Sequence, residues 1–97
     1  MLKKRRFKKQ NMVKVTFVLP PEVEGDTIHL VGEFNNWQTS HAMRRQKDGS
    51  WRITMDLEPG RAYQFRYLVD GQRWLNDPEA DKYVPNPYGD ENSVVVT

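Results

Sequence analysis

The sequence predicts an all-β chain folded as an immunoglobulin-like antiparallel β-sandwich of about 7–8 strands. Three features carry that expectation. Apolar residues recur at every second position in several short runs, the period of a half-buried strand. Turn dipeptides, Asp48-Gly49, Pro59-Gly60 and Asp70-Gly71, separate those runs. No stretch longer than about six residues has helical periodicity.

Taken in order, Val13, Val15, Phe17 and Leu19 alternate with Lys14, Thr16 and Val18, and Pro20-Pro21 stops that strand. Glu22 to Asp26 is a polar turn, and Thr27 to Gly32 forms the next strand, with Ile28 and Leu30 opposite His29 and Val31. The pattern weakens from Gln38 to Arg45, where Ala42-Met43 fits a short strand or an irregular edge. Trp51, Ile53, Met55 and Leu57 then alternate with Arg52, Thr54 and Asp56. Ala62 to Val69 is the clearest strand, with Tyr63, Phe65, Tyr67 and Val69 on one face, and Arg73-Trp74-Leu75 fits a short return. Asn76 to Asp90, rich in Pro, Asn and Asp, reads as a loop. The β-branched run Val94-Val95-Val96 places the last strand, Asn92 to Thr97, inside a sheet.

With 97 residues there is room for one small core, which buries roughly 60–65% of the unfolded chain's surface. The absence of cysteine excludes disulfides, thiolate metal sites and thiol chemistry. The formal charge of +2 is unevenly placed. Lys3, Lys4, Arg5, Arg6, Lys8 and Lys9 supply six of the fifteen positive charges; the nine that remain face thirteen acids, a balance of −4. The chain therefore divides into a basic N-terminal arm, residues 1–11, expected to be flexible, and a mildly acidic sandwich, residues 12–97. The apolar run after the arm, Val15 to Leu19, is shorter than the roughly 7–15 residues of a signal sequence or the roughly 20 of a membrane span, which points to a cytoplasmic location. The arm has the charge to attract nucleic acid or an anionic membrane surface; the alternative is a solvated extension that pairs loosely with the sheet through Phe7. Phe7 is the arm's only aromatic residue, so no base-stacking pattern accompanies the charges.

Functional chemistry concentrates at Leu30-Val-Gly-Glu-Phe-Asn-Asn-Trp37. A stiff strand meets a glycine, an aromatic and two turn-forming amides, which deliver an indole just past the turn. Trp37 is either a core residue folded back or a stacking platform for a flat ligand. Parity adds to the second reading. If Tyr63, Phe65, Tyr67 and Val69 face the core, Gln64, Arg66 and Leu68 face outward. Arg66 then projects from a rigid strand, and Trp74, just past the Asp70-Gly71 turn, returns a second indole toward the same surface.

Leu30 to Trp37, Asp56-Leu-Glu-Pro-Gly60, Tyr63-Gln-Phe-Arg-Tyr-Leu-Val-Asp-Gly71 and Asn76-Asp-Pro78 together resemble family 48 carbohydrate-binding modules. These include the glycogen-binding domain of the AMP-activated kinase β subunit and the early-set domains of isoamylases and branching enzymes. The likeness covers Val13 to Thr97, and Asn86 to Asn92 looks most like short bacterial stand-alone early-set proteins. It implies an immunoglobulin-like sandwich that binds α-1,4-linked glucans without cleaving them. By this resemblance Trp37 and Trp74 correspond to the two stacking tryptophans and Arg66 to a sugar-contacting lysine. Tyr88 takes the place of an apolar residue that reaches through the sugar rings, and Asn92 that of a terminal hydrogen-bonding asparagine. Two departures stand out. Arg73 is an extra residue before Trp74, which bears on the rotation of the second platform, and Tyr88 is bulkier than its counterpart, which suits stacking in place of insertion.

Catalysis is not expected. His29 and His41 have no nucleophile or acid motif beside them, and Asp48, Asp70 and Asp77 sit in turns where aspartate serves the backbone. A glycosidase needs a facing acid pair in a deep cleft. No metal or other cofactor is expected, since two histidines without cysteine make a poor ligand set and the acidic loop lacks calcium spacing. Two readings therefore stand. In one, the chain is an α-glucan-binding module that tethers itself, or a glycogen-active enzyme, to glycogen. In the other, it is a protein- or polyanion-interaction module that works through the basic arm.

Overall fold

The computed structural model describes residues 2–7 and 11–97. The described strands are β1 (Leu2–Phe7), β2 (Met12–Leu19), β3 (Ile28–Gly32), β4 (Arg44–Arg45), β5 (Trp51–Leu57), β6 (Ala62–Val69), β7 (Arg73–Leu75), β8 (Lys82–Pro85) and β9 (Glu91–Val96). They form the antiparallel sandwich that the alternating pattern predicts. One sheet has the order β1-β2-β5-β4 and the other β3-β6-β9-β8, with β7 paired to the second half of β6. β9 lies between β6 and β8, so the final β-branched run is internal to its sheet.

The inward faces meet in one core. Val13, Val15, Phe17 and Leu19 of β2 pack with Trp51 and Leu57 of β5, facing Ile28 and Leu30 of β3 and Phe65, Tyr67 and Val69 of β6. Phe65 stands edge-on to Phe17 at 5.0 Å and to Tyr67 at 5.6 Å, the geometry that aromatic quadrupoles favour. Tyr67 donates its hydroxyl to the buried carboxylate of Asp77 at 2.7 Å. Burial first, and the Asp77 charge second, push the Tyr67 pKa well above its ordinary value. No helix among the described residues is long and apolar enough to cross a membrane.

Two segments depart from the sequence expectation, and a third, expected as a short strand or an irregular edge, is an irregular edge. Leu2–Phe7, expected as a flexible arm, is a strand paired with β2 from Leu2↔Phe17 to Phe7↔Met12. Its charges divide by parity: Lys4 forms a salt bridge with Asp81, and Arg6 donates to the Thr97 carbonyl, which ties both cations to the second sheet. Lys8 and Lys9, the other two arm cations singled out, lie outside the described residues. The presumed loop from Asn76 to Asp90 contains β8, a short edge strand whose proline stands last, where a missing N–H costs least. In the weakly patterned region, Ala42 makes an isolated bridge to His29, and Arg44–Arg45 then pair with β5. The chain changes sheets there, and no single period describes it.

Two predictions follow from this packing. A Cβ at Gly32 would meet the Gln64 carbonyl oxygen at 2.7 Å and the Phe65 Cβ at 2.8 Å. Gly32→Ala should therefore cost about 1–3 kcal/mol in chemical denaturation, because rigid backbone must shift. The Asp70 carboxylate accepts the Asp26 and Thr27 N–H groups at 2.8 and 2.9 Å, which holds its pKa below the ordinary 3.8. With the folded pKa depressed, its stabilisation is present above pH 3.8 and lost as pH falls through the folded value. The melting temperature of Asp70→Asn should thus fall less steeply than that of the parent protein below that pH.

Candidate functional site

The loop after β3 places the first indole. Gly32 ends the strand where its backbone presses on β6, and Glu33–Asn35 form one 3-10 turn. Asn35 is buried and holds the loop, its Oδ1 accepting the Gly32 N–H at 3.0 Å and its Nδ2 donating to the Leu30 carbonyl at 2.9 Å. Asn36 and Trp37 both adopt left-handed backbone, with φ of 55° and 58°, and the Trp37 N–H donates to the Gly32 carbonyl at 2.8 Å. A left-handed conformation costs a residue with a Cβ roughly 1–2 kcal/mol, so these bonds offset strain. They leave Trp37 at the surface with 42% of its area exposed.

Arg66 lies across from Val31, on the face of β6 away from the core. Its side chain is only 14% exposed, and its Nη2 reaches Asp90 Oδ2 at 3.1 Å. Its guanidinium carbon stands 5.8 Å from the Trp74 ring centre, and its buried Nε has no hydrogen-bond partner. Trp74 pairs with Leu68 and Arg73 with Val69, so Asp70, Gly71 and Gln72 make up the turn. Arg73, the extra residue, is the first of β7, and Trp74, opposite Leu68, lies on the Arg66 side of the sheet with 43% exposure.

The third wall comes from the segment before β9. Asn86 Oδ1 accepts the Tyr88 and Asp90 N–H groups at 3.0 and 3.1 Å, which closes the loop and leaves Tyr88 91% exposed at its tip. Asn92 precedes Ser93, the partner of Phe65, and so in the antiparallel ladder comes beside Arg66 on the outer face. Asn92 is largely buried: it donates from Nδ2 to Gln64 Oε1 at 3.0 Å and accepts at Oδ1 from Asn86 Nδ2 at 3.2 Å. Its amide therefore braces the cleft wall.

All five residues singled out in the sequence line one cleft of about 590 Å³: Trp37, Arg66, Trp74, Tyr88 and Asn92. Glu33, Gln64, Asn86 and Pro87 line it too, and sequence reasoning missed them as site residues. Gln64 was legible by parity, since it shares the Arg66 face of β6. Glu33 was not, because its role is to accept the Gln64 backbone N–H at 2.6 Å across strands.

The cleft offers ring faces, amides and one guanidinium. It is not lined by histidine, and its one lining carboxylate, Glu33, is bonded to backbone. His41 Nδ1 instead lies 3.1 Å from Asn35 Nδ2 and 3.0 Å from Ser40 Oγ in the supporting loop. Among the described residues no group of three or more His, Cys, Asp and Glu is placed to hold a metal ion. This is the chemistry of recognition, suited to a ligand with flat apolar faces and hydroxyl edges.

Comparison with known proteins agrees with that geometry. The family described as the glycogen recognition site of AMP-activated protein kinase matches residues 13–97. Protein FLOURY ENDOSPERM 6, chloroplastic, of Oryza sativa subsp. japonica is 39% identical over 49 residues, 50% of this chain and 9% of that protein. Protein PTST homolog 2, chloroplastic, of Arabidopsis thaliana is 37% identical over 49 residues, again 50% of this chain and 9% of the relative. The SNF1-related protein kinase regulatory subunit beta-2 of Arabidopsis thaliana is 36% identical over 55 residues, 57% of this chain and 18% of the relative. The chain thus spans less than a fifth of the length of each of these relatives. With the sandwich, the cleft and a match that runs from β2 to the last residue, the chain belongs to the non-catalytic family of the AMP-activated protein kinase glycogen recognition site.

Proposed function

We propose that the chain binds α-1,4-linked glucan, such as glycogen, starch or a maltooligosaccharide, by stacking glucose units on Trp37 and Trp74. One observation carries the reading: two indoles from separate elements, each more than two-fifths exposed, line the same cleft. A folded domain ordinarily covers such rings, and the left-handed conformation in which Trp37 is held outside the core supports a use for its exposed face. The glycogen-recognition family supports the same ligand class.

The chemistry fits a glucose polymer. A glucose ring has a C–H face that an indole can cover and a hydroxyl edge that Arg66, Gln64 and Asn86 can reach. The unpartnered Arg66 Nε–H is a donor whose desolvation a sugar hydroxyl would offset. Covering about 80–100 Å² of apolar ring at about 25 cal/mol per Å² stabilises the complex by about 2 kcal/mol per platform. Less the cost of association, two such platforms leave micromolar to millimolar affinity, which a polymer raises by presenting many segments at once. The module would tether itself, or an enzyme that it associates with, to the polysaccharide.

Glycogen co-sedimentation and maltoheptaose titration test this directly. Trp37→Ala and Trp74→Ala should each weaken binding about 30-fold, the equivalent of about 2 kcal/mol. Raising salt should change little, because stacking carries no net charge. Undiminished co-sedimentation of both variants would remove the cleft from consideration.

A further inference from the structure

The cleft occupies the outer face of the β6 sheet, and the outer face of the other sheet has a different chemistry. Val13, Val15 and Phe17 point into the core, so Lys14, Thr16 and Val18 point away from it. The registers place Arg5 and Asp56 beside Lys14, Lys3 and Thr54 beside Thr16, and Arg52 beside Val18, with Arg44 directly across from Arg52. Five cations, Lys3, Arg5, Lys14, Arg44 and Arg52, thus share one face with a single carboxylate from its strands, Asp56, and with Asp48 of the β4–β5 turn close enough to feel the Arg52 charge. Lys14 takes the Asp56 carboxylate at 3.2 Å. Among the described residues the other four cations form no salt bridge.

Arg44 and Arg52 gain nothing from facing each other, since like charges directly across a ladder repel unless an anion intervenes. A hollow of about 400 Å³ opens beside them, lined also by Gln46 and Thr54. We propose that this face docks an acidic segment of a partner protein and leaves the cleft, on the opposite side of the sandwich, free for its own ligand. The planar forks of Arg5, Arg44 and Arg52 match carboxylates in geometry as well as charge. A lipid bilayer would want apolar side chains to insert, whereas the centre of the face is a Thr16–Thr54 hydroxyl pair at 3.0 Å. Single-stranded nucleic acid would want open rings. Phe7, at the corner, already has Arg5 and Lys14 over its ring at 5.3 and 5.8 Å.

The test titrates the full chain into a fluorescently labelled oligoglutamate peptide at low salt. A DNA duplex and vesicles of equal parts phosphatidylcholine and phosphatidylserine are run beside it. The peptide should bind, and Arg44→Glu with Arg52→Glu should weaken it about tenfold or more. Arg44→Gln with Arg52→Gln, which removes the charges without reversing them, should weaken it in the same direction while the melting temperature is kept, and carries the test if the reversed pair fails to fold. Glycogen co-sedimentation should be equal for all of these proteins, so the fate of this face is read separately from that of the cleft. No binding of the peptide, equal binding by the glutamine variant, or tighter binding of the duplex or the vesicles at the same salt would overturn the proposal.

Discussion

Strand β6 is the constraint on which the site depends. It is hydrogen-bonded to β3 along one edge and to β9 and β7 along the other, so it cannot move without breaking the sheet. Its alternation sends Phe65, Tyr67 and Val69 into the core and turns Gln64 and Arg66 toward the cleft. A slip of one residue would exchange those sets, burying the guanidinium and exposing the aromatics. Hydrophobic burial therefore fixes the cleft face: the energy that holds the core in register also places Arg66, whose guanidinium is then tied to Asp90.

The two halves of the cleft differ in how they are built. On the β3 side the labour is divided within Phe34-Asn35-Asn36-Trp37. Phe34 packs against Phe17 at 5.8 Å and Tyr63 at 6.0 Å, Asn35 satisfies the backbone, Asn36 and Trp37 take the left-handed turn, and the Trp37 ring is left exposed. Tyr88 stands at the tip of a loop closed by Asn86 and tied to β6 through the Arg66–Asp90 ion pair, and its ring is almost wholly exposed.

Much of this was legible in the alternating pattern, because burial on one face writes a period of two into the sequence. That is why β2, β5 and β6 were read at their observed positions and why Arg66 was placed outside the core. The pattern was blind where other forces decide. β1 reads as a solvated basic tail, yet backbone pairing with β2 and the ties of Lys4 to Asp81 and Arg6 to Thr97 make it a strand. β8 is too short and too near prolines to show a period. Val31, Leu68 and Val94 lie on the outer face of their sheet and are buried all the same, which a period of two does not reveal. The bracing roles of Glu33 and Asn92 join residues far apart in the chain, which no local reading of spacing reveals.

The chain has three tryptophans, and their placement supplies an internal control. Trp51 is buried in the core, with Arg45 over its ring at 5.1 Å, while Trp37 and Trp74 stand open to the cleft. The most direct measurement follows the three indole N–H signals by nuclear magnetic resonance while maltoheptaose is added. The Trp37 and Trp74 signals should move together along one binding curve and the Trp51 signal should stay fixed. Maltoheptaose binding that leaves both cleft indoles unmoved would contradict the account.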